Sequence, residues 1–352
     1  MRVGVFLPNW VGDVVMATPA LRALRGLAGD GELVGVMRPY VAEVLDGNSW
    51  FDETILYAKK AKDAPLAWPA VRDRLRAAKL DAVVLLTNSL RTAWMAYRSG
   101  APVRVGTAGN FRSPLLTTKV YAPRRGWRRS APPTVIGYLQ VALAAGCAPE
   151  SAALDLATTA ADELAADAVW NRHGLPRNRR VAVFNTGGAF GAAKDWPAEL
   201  FAALARRVAE QRGMHVLINC GPAERDAARA IAAAARHPHV VSLADEAALP
   251  IGLTKAAIRR AGLLVSTDSG PRFFGVAFGV PTVTLFGPTS TEFTKTYAAH
   301  ETSVSLGLEC QPCMARSCPL GHHRCMRDLS VDRVWAAVEG TLGSAVKREI
   351  AA

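Results

Sequence analysis

The chain has 352 residues, half of them hydrophobic, and carries 42 Lys and Arg against 30 Asp and Glu, a net charge of +12. That length exceeds one ordinary core and suits two domains of ~150 to 200 residues each, while the scatter of Gly and Pro excludes a disordered or fibrous chain. No apolar run approaches the ~18 residues of a membrane-spanning helix, and the opening residues lack the apolar core and cleavage site of a signal peptide, so a cytoplasmic protein is expected.

In chain order, residues 3–7 read as a short buried strand. A turn over residues 8–13 leads into a helical stretch over about residues 14–25, where Val14, Ala17, Leu21 and Leu24 recur at helical spacing. Residues 33–36 and 82–86 read as further strands with helical segments between them. The pattern then restarts with a strand over residues 180–184, a Gly-rich turn over 186–191 and a helix over about 197–212. Residues 216–219, 263–266 and 282–286 complete the strands, and a helix is expected over about 223–235.

Strands alternating with helices predict parallel, doubly wound sheets. Two such series, each opening with strand, glycine turn and helix, predict an α/β protein of two Rossmann-like domains facing a cleft. The join is expected at residues 155–178, giving an N-terminal domain 1–165 and a C-terminal domain 166–352. The last helix, over about residues 331–346, is expected to pack back across the first domain. In such sheets ligands sit at the carboxyl ends of the strands, which sets the candidate residues.

Asp13 closes the first strand–turn–helix. It reads either as a helix N-cap or as a carboxylate facing the cleft, able to take a proton as general base. In the second half, glycines follow the strand in the segment from Thr186 through Gly187 and Gly188 to Lys194. Such glycines let backbone amides approach an anion, and the lysine beyond them suits phosphate charge. The spacing is that of neither a Walker loop nor a dinucleotide fingerprint. Asp268, Ser269, Gly270 and Pro271 form a helix-start signal, which also points free N–H groups at an anionic ligand. Gly287 to Ser290 ends the next strand, and Glu224 reads as a ribose-binding carboxylate or a solvated surface residue.

Cys310, Cys313, Cys318 and Cys325, with His322 and His323 among them, have spacings that fit a structural zinc or an iron–sulfur cluster. Free or transiently oxidised thiols and disulfides are the alternatives; a bound metal would staple a loop, because four Cys ligands leave no open position for catalysis. Cys147 and Cys220 read as buried thiols. No acidic residue falls in residues 82–149, where Arg91, Arg98, Arg104, Arg112, Lys119, Arg124, Arg125, Arg128 and Arg129 lie. A surface of one sign implies an anionic substrate, membrane surface or nucleic acid.

Residues 8–16, 191–197, 268–270, 280–290, 310–313 and 318–322, spread in order along the chain, together resemble the ADP-heptose:lipopolysaccharide heptosyltransferases of glycosyltransferase family nine, most closely the heptosyltransferase II branch. The resemblance implies a GT-B fold and an inverting transfer of heptose from ADP-L-glycero-D-manno-heptose to the lipopolysaccharide inner core, with no cofactor required for catalysis. It implies that Asp13 is the base and that Lys194 binds the donor phosphates. Thr186, Gly187, Glu224, Asp268, Ser269 and Gly270 fall on donor-contacting positions, with Arg272 an added cation. Asn9, Asn88, Ser89 and Arg91 fall on the acceptor side. The basic stretch would then meet the anionic lipid A–core acceptor and the inner leaflet, making the enzyme peripheral on the inner membrane, with no nucleic acid as partner. One departure stands out: many members carry His where this chain has Phe273. It keeps open another nucleotide-sugar donor on the same fold. A basic nucleic-acid-binding protein, or a family member that binds without turnover, are the other readings.

Overall fold

The computed structural model describes residues 1–58, 63–125, 128–129, 132–188 and 190–351. The chain divides into two compact units. The first comprises Met1–Ala157 with Glu292–Tyr297, and the second Thr158–Thr291 with Ala298–Ala352.

In the first unit, β1 (Val3–Phe6), β2 (Leu33–Met37), β3 (Glu53–Leu56), β4 (Ala82–Leu85), β5 (Val103–Thr107) and β6 (Thr118–Val120) form one sheet in the order β3-β2-β1-β4-β5-β6. Every pairing in it is parallel. Val5 lies opposite Gly35 on one side and Val84 on the other. β1, β2 and β4 are buried throughout, which is why they read as unbroken apolar runs. Helices α1 (Val11–Met16), α2 (Thr18–Ala28), α3 (Pro39–Leu45), α4 (Trp68–Ala77), α5 (Leu90–Ser99) and α6 (Thr134–Ala144) connect and cover the strands. One core packs Phe6, Val34, Val36, Val83 and Leu85 against Val71 and Leu75 of α4 and Ala93 and Ala96 of α5. A two-stranded hairpin, β7 (Arg124–Arg125) with β8 (Arg128–Arg129), follows β6; the side chains of these four arginines lie outside the described residues.

The second unit repeats the plan. β9 (Val181–Asn185), β10 (His215–Asn219), β11 (Val240–Ser242), β12 (Leu263–Thr267), β13 (Thr282–Phe286) and β14 (Glu301–Ser305) lie in the order β11-β10-β9-β12-β13-β14, again all parallel. Its helices are α7 (Ala160–Arg172), α8 (Ala198–Arg212), α9 (Arg225–Ala235), α10 (Ile251–Arg260), α11 (Gly270–Ala277), α12 (Arg324–Arg327) and α13 (Val331–Ala351). In both sheets the strand order reverses beside the first strand, between β1 and β4 and between β9 and β12. The carboxyl ends of neighbouring strands diverge at that point and leave room for a ligand.

Three details depart from the sequence reading. The helix expected over residues 14–25 starts earlier and is two helices, because Pro19 has no N–H to donate to the carbonyl of Val15. The Thr18 hydroxyl donates to that carbonyl instead, at 2.8 Å, and accepts from the Asp155 amide at 3.0 Å. The division between units falls at Ala157/Thr158 rather than at 165/166. Thr159 and Asp162 form a reciprocal capping box that starts α7, and Arg260 of α10 binds Glu163 at 2.7 Å and Asp167 at 2.9 Å, so all of α7 belongs to the second unit. The last helix, expected to cover the first domain, packs on α8, β13 and β14 of its own unit. Val334 and Val338 are buried, the Arg207 guanidinium lies 4.8 Å from the Trp335 ring, and Arg212 donates to Glu339 at 2.6 Å.

Replacing Thr18 by Val strips the Val15 carbonyl and the Asp155 amide of one partner at the helix break. A loss of about 1–3 kcal/mol in unfolding free energy is expected, read by urea denaturation.

Candidate active site

Each unit carries a cavity at the carboxyl end of its sheet. In the second unit a cavity of about 840 Å³ is lined by Thr186, Gly187 and Gly188 after β9, by Ala192 and Asp195, and by Glu224, His323 and Arg327. Asn185, at the end of β9, organises these turns from beneath. Its Nδ2 donates to Ser269 Oγ at 2.8 Å and to the Gly187 carbonyl at 3.1 Å, and its Oδ1 accepts from Asn219 at 2.8 Å. The Glu224 carboxylate accepts from the Gly221 amide at 2.8 Å. A Cβ on Gly187 would stand 2.3 Å from Glu224 Oε1, and one on Gly188 would stand 2.9 Å from Ser269 Cβ. Close approach therefore favours glycine at 188, while a side chain at 187 would push the Glu224 carboxylate aside. Ala189, in the same turn, lies outside the described residues.

Beside this cavity, Lys194 and Asp268 form a buried ion pair. The Lys194 ammonium donates to Asp268 Oδ2 at 2.9 Å and to the Asp268 carbonyl, and lies 4.6 Å from the Phe190 ring centre. Trp196, two residues on, is fixed by an Nε1 bond to the Leu329 carbonyl at 2.9 Å and by edge contact with Phe201. That anchor sets where the Lys194 turn runs. Asp268 also accepts from Thr289 Oγ1 at 2.7 Å and from Arg272 Nη1 at 2.8 Å. Burial works against ionisation of Asp268, but the charges of Arg272 and Lys194 and the Thr289 hydroxyl outweigh it and hold the carboxyl below its ordinary value. Ser269 is the N-cap residue of α11, with Gly270 first in the helix and Pro271 behind it.

Arg272, read as a cation for a ligand, is interior. Its side chain is 1 % exposed and is committed to Asp268 and Glu301, between the rings of Phe273 and Phe286 at 4.7 and 4.8 Å. Phe273 is buried as the partner of that guanidinium. The sequence reading missed Asp195, His323 and Arg327 as cavity residues. His323 Nε2 hydrogen-bonds the Ala193 carbonyl at 2.8 Å, and its place among the cysteines had suggested a metal instead. Burial raises the Asp195 carboxyl, against the opposing charge of His323.

The four clustered cysteines border one small cavity of about 20 Å³ with His322 and His323, and none is in a disulfide. Among the described residues no group of three or more His, Cys, Asp and Glu is arranged to hold a metal ion. The loop takes its course from packing on the Lys194 turn: Ala193 donates to the Arg316 carbonyl at 3.1 Å, and Met314 to the Pro288 carbonyl at 2.8 Å.

In the first unit a cavity of about 450 Å³ is lined by Asp13, Asn88, Arg112, Tyr121, Tyr138 and Phe293, among others. Trp10, not Asp13, is the N-cap residue of α1; Asp13 lies in the first helical turn with its carboxylate at the cavity. Burial, and then the nearby Asp13 carboxylate, push the Tyr138 phenol well up. Arg112 is buried and donates to the carbonyls of Thr87 and Thr107 and, at 3.1 Å, to Asn88 Oδ1. Burial lowers its pKa to about 10. Of the expected acceptor residues only Asn88 reaches this cavity. Ser89 caps α5, accepting from the Thr92 amide at 3.1 Å. Arg91 is exposed on that helix and reaches the Ala58 carbonyl, and Asn9 accepts from Tyr40 through its backbone.

Two six-stranded parallel sheets with helices, each bearing a cavity at the carboxyl ends of its strands, define a two-domain α/β protein of the GT-B glycosyltransferase type. The chain belongs to glycosyltransferase family 9 (heptosyltransferase), whose family model matches residues 68–324. It is similar to lipooligosaccharide heptosyltransferase 2 of Campylobacter jejuni, 31 % identical over 165 residues that make up 46 % of this chain and 50 % of that relative; the match spans half of that relative's length. It is also similar to lipopolysaccharide heptosyltransferase 2 of Escherichia coli K12, 25 % identical over 95 % of this chain and 96 % of that one. A solved glycosyltransferase of family 9 from Veillonella parvula superposes with a TM-score of 0.81 over 97 % of each chain, at 26 % identity.

Two variants test this site. Arg272→Met leaves Asp268 and Glu301 short of a buried cation, and a loss of about 3–5 kcal/mol is expected in denaturant titration. Because the folded Asp268 carboxyl lies below its unfolded value, its stabilisation is complete above about pH 4 and is lost as pH falls further. The Arg272→Met protein should therefore lose less additional stability than wild type on acidification below pH 4. Gly187→Ala should displace the Glu224 carboxylate from the Gly221 amide, a loss of about 0.5–1.5 kcal/mol in the same titration.

Proposed function

We propose that the protein is an inverting glycosyltransferase that moves heptose from an ADP-heptose donor to the lipopolysaccharide inner core, in the manner of heptosyltransferase II. The observation that carries this reading is the second-unit cavity, where Thr186, Gly187 and Glu224 border space of nucleotide size beside the Lys194–Asp268 pair. Glu224 suits ribose hydroxyls. Lys194 and the first amides of α11 suit a diphosphate, whose negative charge grows as the donor bond breaks. Lys194 is held by Asp268 until an anion arrives, so donor binding exchanges a carboxylate partner for phosphate oxygens.

On the first unit, Asp13, in the first turn of the helix that follows β1, acts as general base. It takes the proton of an acceptor hydroxyl as that oxygen bonds to the anomeric carbon. The bond from that carbon to the diphosphate oxygen breaks, ADP leaves with the electron pair, and the configuration inverts. Asn88 and the buried Arg112 shape the wall of this acceptor cavity. The acceptor is an anionic lipid A–core precursor, which suits the acid-free, Arg-rich first half of the chain. The enzyme then works in the cytoplasm, peripheral on the inner membrane. Among the described residues no helix is long and apolar enough to cross a membrane.

The test is acceptor-dependent ADP release from ADP-heptose with Kdo2-lipid A and with its mono-heptosylated form. Asp13→Asn should lower turnover about 10²–10⁴-fold with ADP binding retained. Lys194→Met should lower it about 10²-fold or more and weaken ADP binding. The acceptor preferred by wild type identifies the heptose step. No release with either acceptor from folded protein removes this donor–acceptor pairing.

A further inference from the structure

We propose that the exposed face of α5, together with the loop carrying Phe111, is the surface by which the protein docks on an anionic phospholipid bilayer. The inference deepens the proposed function by naming how the enzyme meets a lipid-borne acceptor, and depends on that reading for its purpose but not for its test.

α5 has two faces. Thr92, Ala93, Met95, Ala96 and Ser99 are buried, while Leu90, Trp94 and Tyr97, at helical spacing i, i+4 and i+7, are 48, 44 and 48 % exposed. A helix that turns two large aromatics and a leucine to water gives up the burial that such side chains ordinarily gain. The neighbouring loop does the same. Asn110 and Phe111 both hold positive φ, +48° and +58°, in the left-handed region that a bulky side chain rarely adopts. Asn110 Nδ2 ties this loop to the Asn88 carbonyl at the start of α5, at 2.9 Å. The outcome is a Phe111 side chain that is 94 % exposed.

The charge around these rings is of one sign. Arg98 lies 5.6 Å from the Trp94 ring and Arg104 5.6 Å from the Tyr97 ring, Lys119 is exposed on β6, and no carboxylate occurs anywhere in residues 82–149. Trp and Tyr favour the headgroup level of a bilayer, where an apolar ring and a polar edge are both satisfied. Lys and Arg beside them are drawn to the negative surface potential of anionic lipids. A protein partner sets no sign for the charge beside these rings, whereas an anionic lipid surface favours the positive charge found there.

The test uses the full chain and vesicles of phosphatidylethanolamine with phosphatidylglycerol, against vesicles of phosphatidylcholine alone. Wild type should float with the anionic vesicles at low salt and be released at high salt. Its tryptophan emission should shift to the blue on binding. A combined Trp94→Ala, Tyr97→Ala and Phe111→Ala variant should bind these vesicles about tenfold or more weakly. Its circular dichroism, and its turnover of a deacylated, water-soluble acceptor, should match wild type. Equal vesicle binding by the variant, or no binding by wild type, overturns the proposal. So does a dimer in wild type that becomes a monomer in the variant, which would assign the face to a second copy. A fall in turnover of the soluble acceptor would assign it to the acceptor site instead. Vesicle binding without transferase activity would remove the functional reading and leave the docking surface standing.

Discussion

A carboxylate buried between two cations fixes the second unit's functional end. Asp268 leaves the end of β12 with one oxygen on Arg272 and the other on Lys194 and Thr289, and Arg272 passes the charge on to Glu301. Four charges, two of each sign, are thereby withdrawn from water in one chain of contacts. Such a cluster is tolerated only when every member is satisfied, because any one left alone carries the full cost of desolvation. This forces the first turn of α11, the turn after β9 and the adjoining edge of the sheet into one arrangement.

The same chain of contacts separates the residues that build the site from those free to meet a ligand. Arg272 and Glu301 are locked in the interior. Lys194 holds the outermost position, with its ammonium shared between Asp268 and the Phe190 ring. An anion at the end of α11 meets a cation already placed and already partly desolvated, which is the condition under which electrostatic preorganisation is most effective. The Cys-rich loop serves the same end by packing on Ala193, so its work is mechanical whatever the state of its thiols.

Much of this architecture was legible in the sequence because β1, β2, β4, β9, β10, β12 and β13 are largely buried and rich in Val, Leu, Ile and Phe. The other strands escaped notice: β3 and β14 carry Glu and Thr, β5 opens on an exposed Val and an Arg, and β6 and β11 are three residues each. Half-exposed strands lose the apolar run that marks a central one. Among site residues, Thr186, Gly187, Asp268 and Ser269 could be singled out because they directly follow β9 and β12, and Asp13 and Glu224 because each lies in the first turn beyond a strand. Asp195, His323, Arg327, Arg112 and Tyr138 were not assigned, since only tertiary packing brings them to a cavity. Arg272 was misplaced for a related reason: its position one helical turn past Asp268 is readable, but the direction of its side chain depends on Glu301, 29 residues away.

The short segment Glu292–Tyr297 belongs to the first unit although the chain has by then laid down five of the six strands of the second. Its Phe293 carbonyl accepts from both the amide and the hydroxyl of Thr134, at 2.9 and 3.0 Å, and Phe293 and Thr294 line the cavity of Asp13. On a ribosome, where domains fold as they emerge, residues 1–157 can collapse early, yet their cavity gains its last wall only after residue 297 is free. The first unit is thus finished by the second unit's synthesis, and a truncated N-terminal half would present an open cavity rather than the native one.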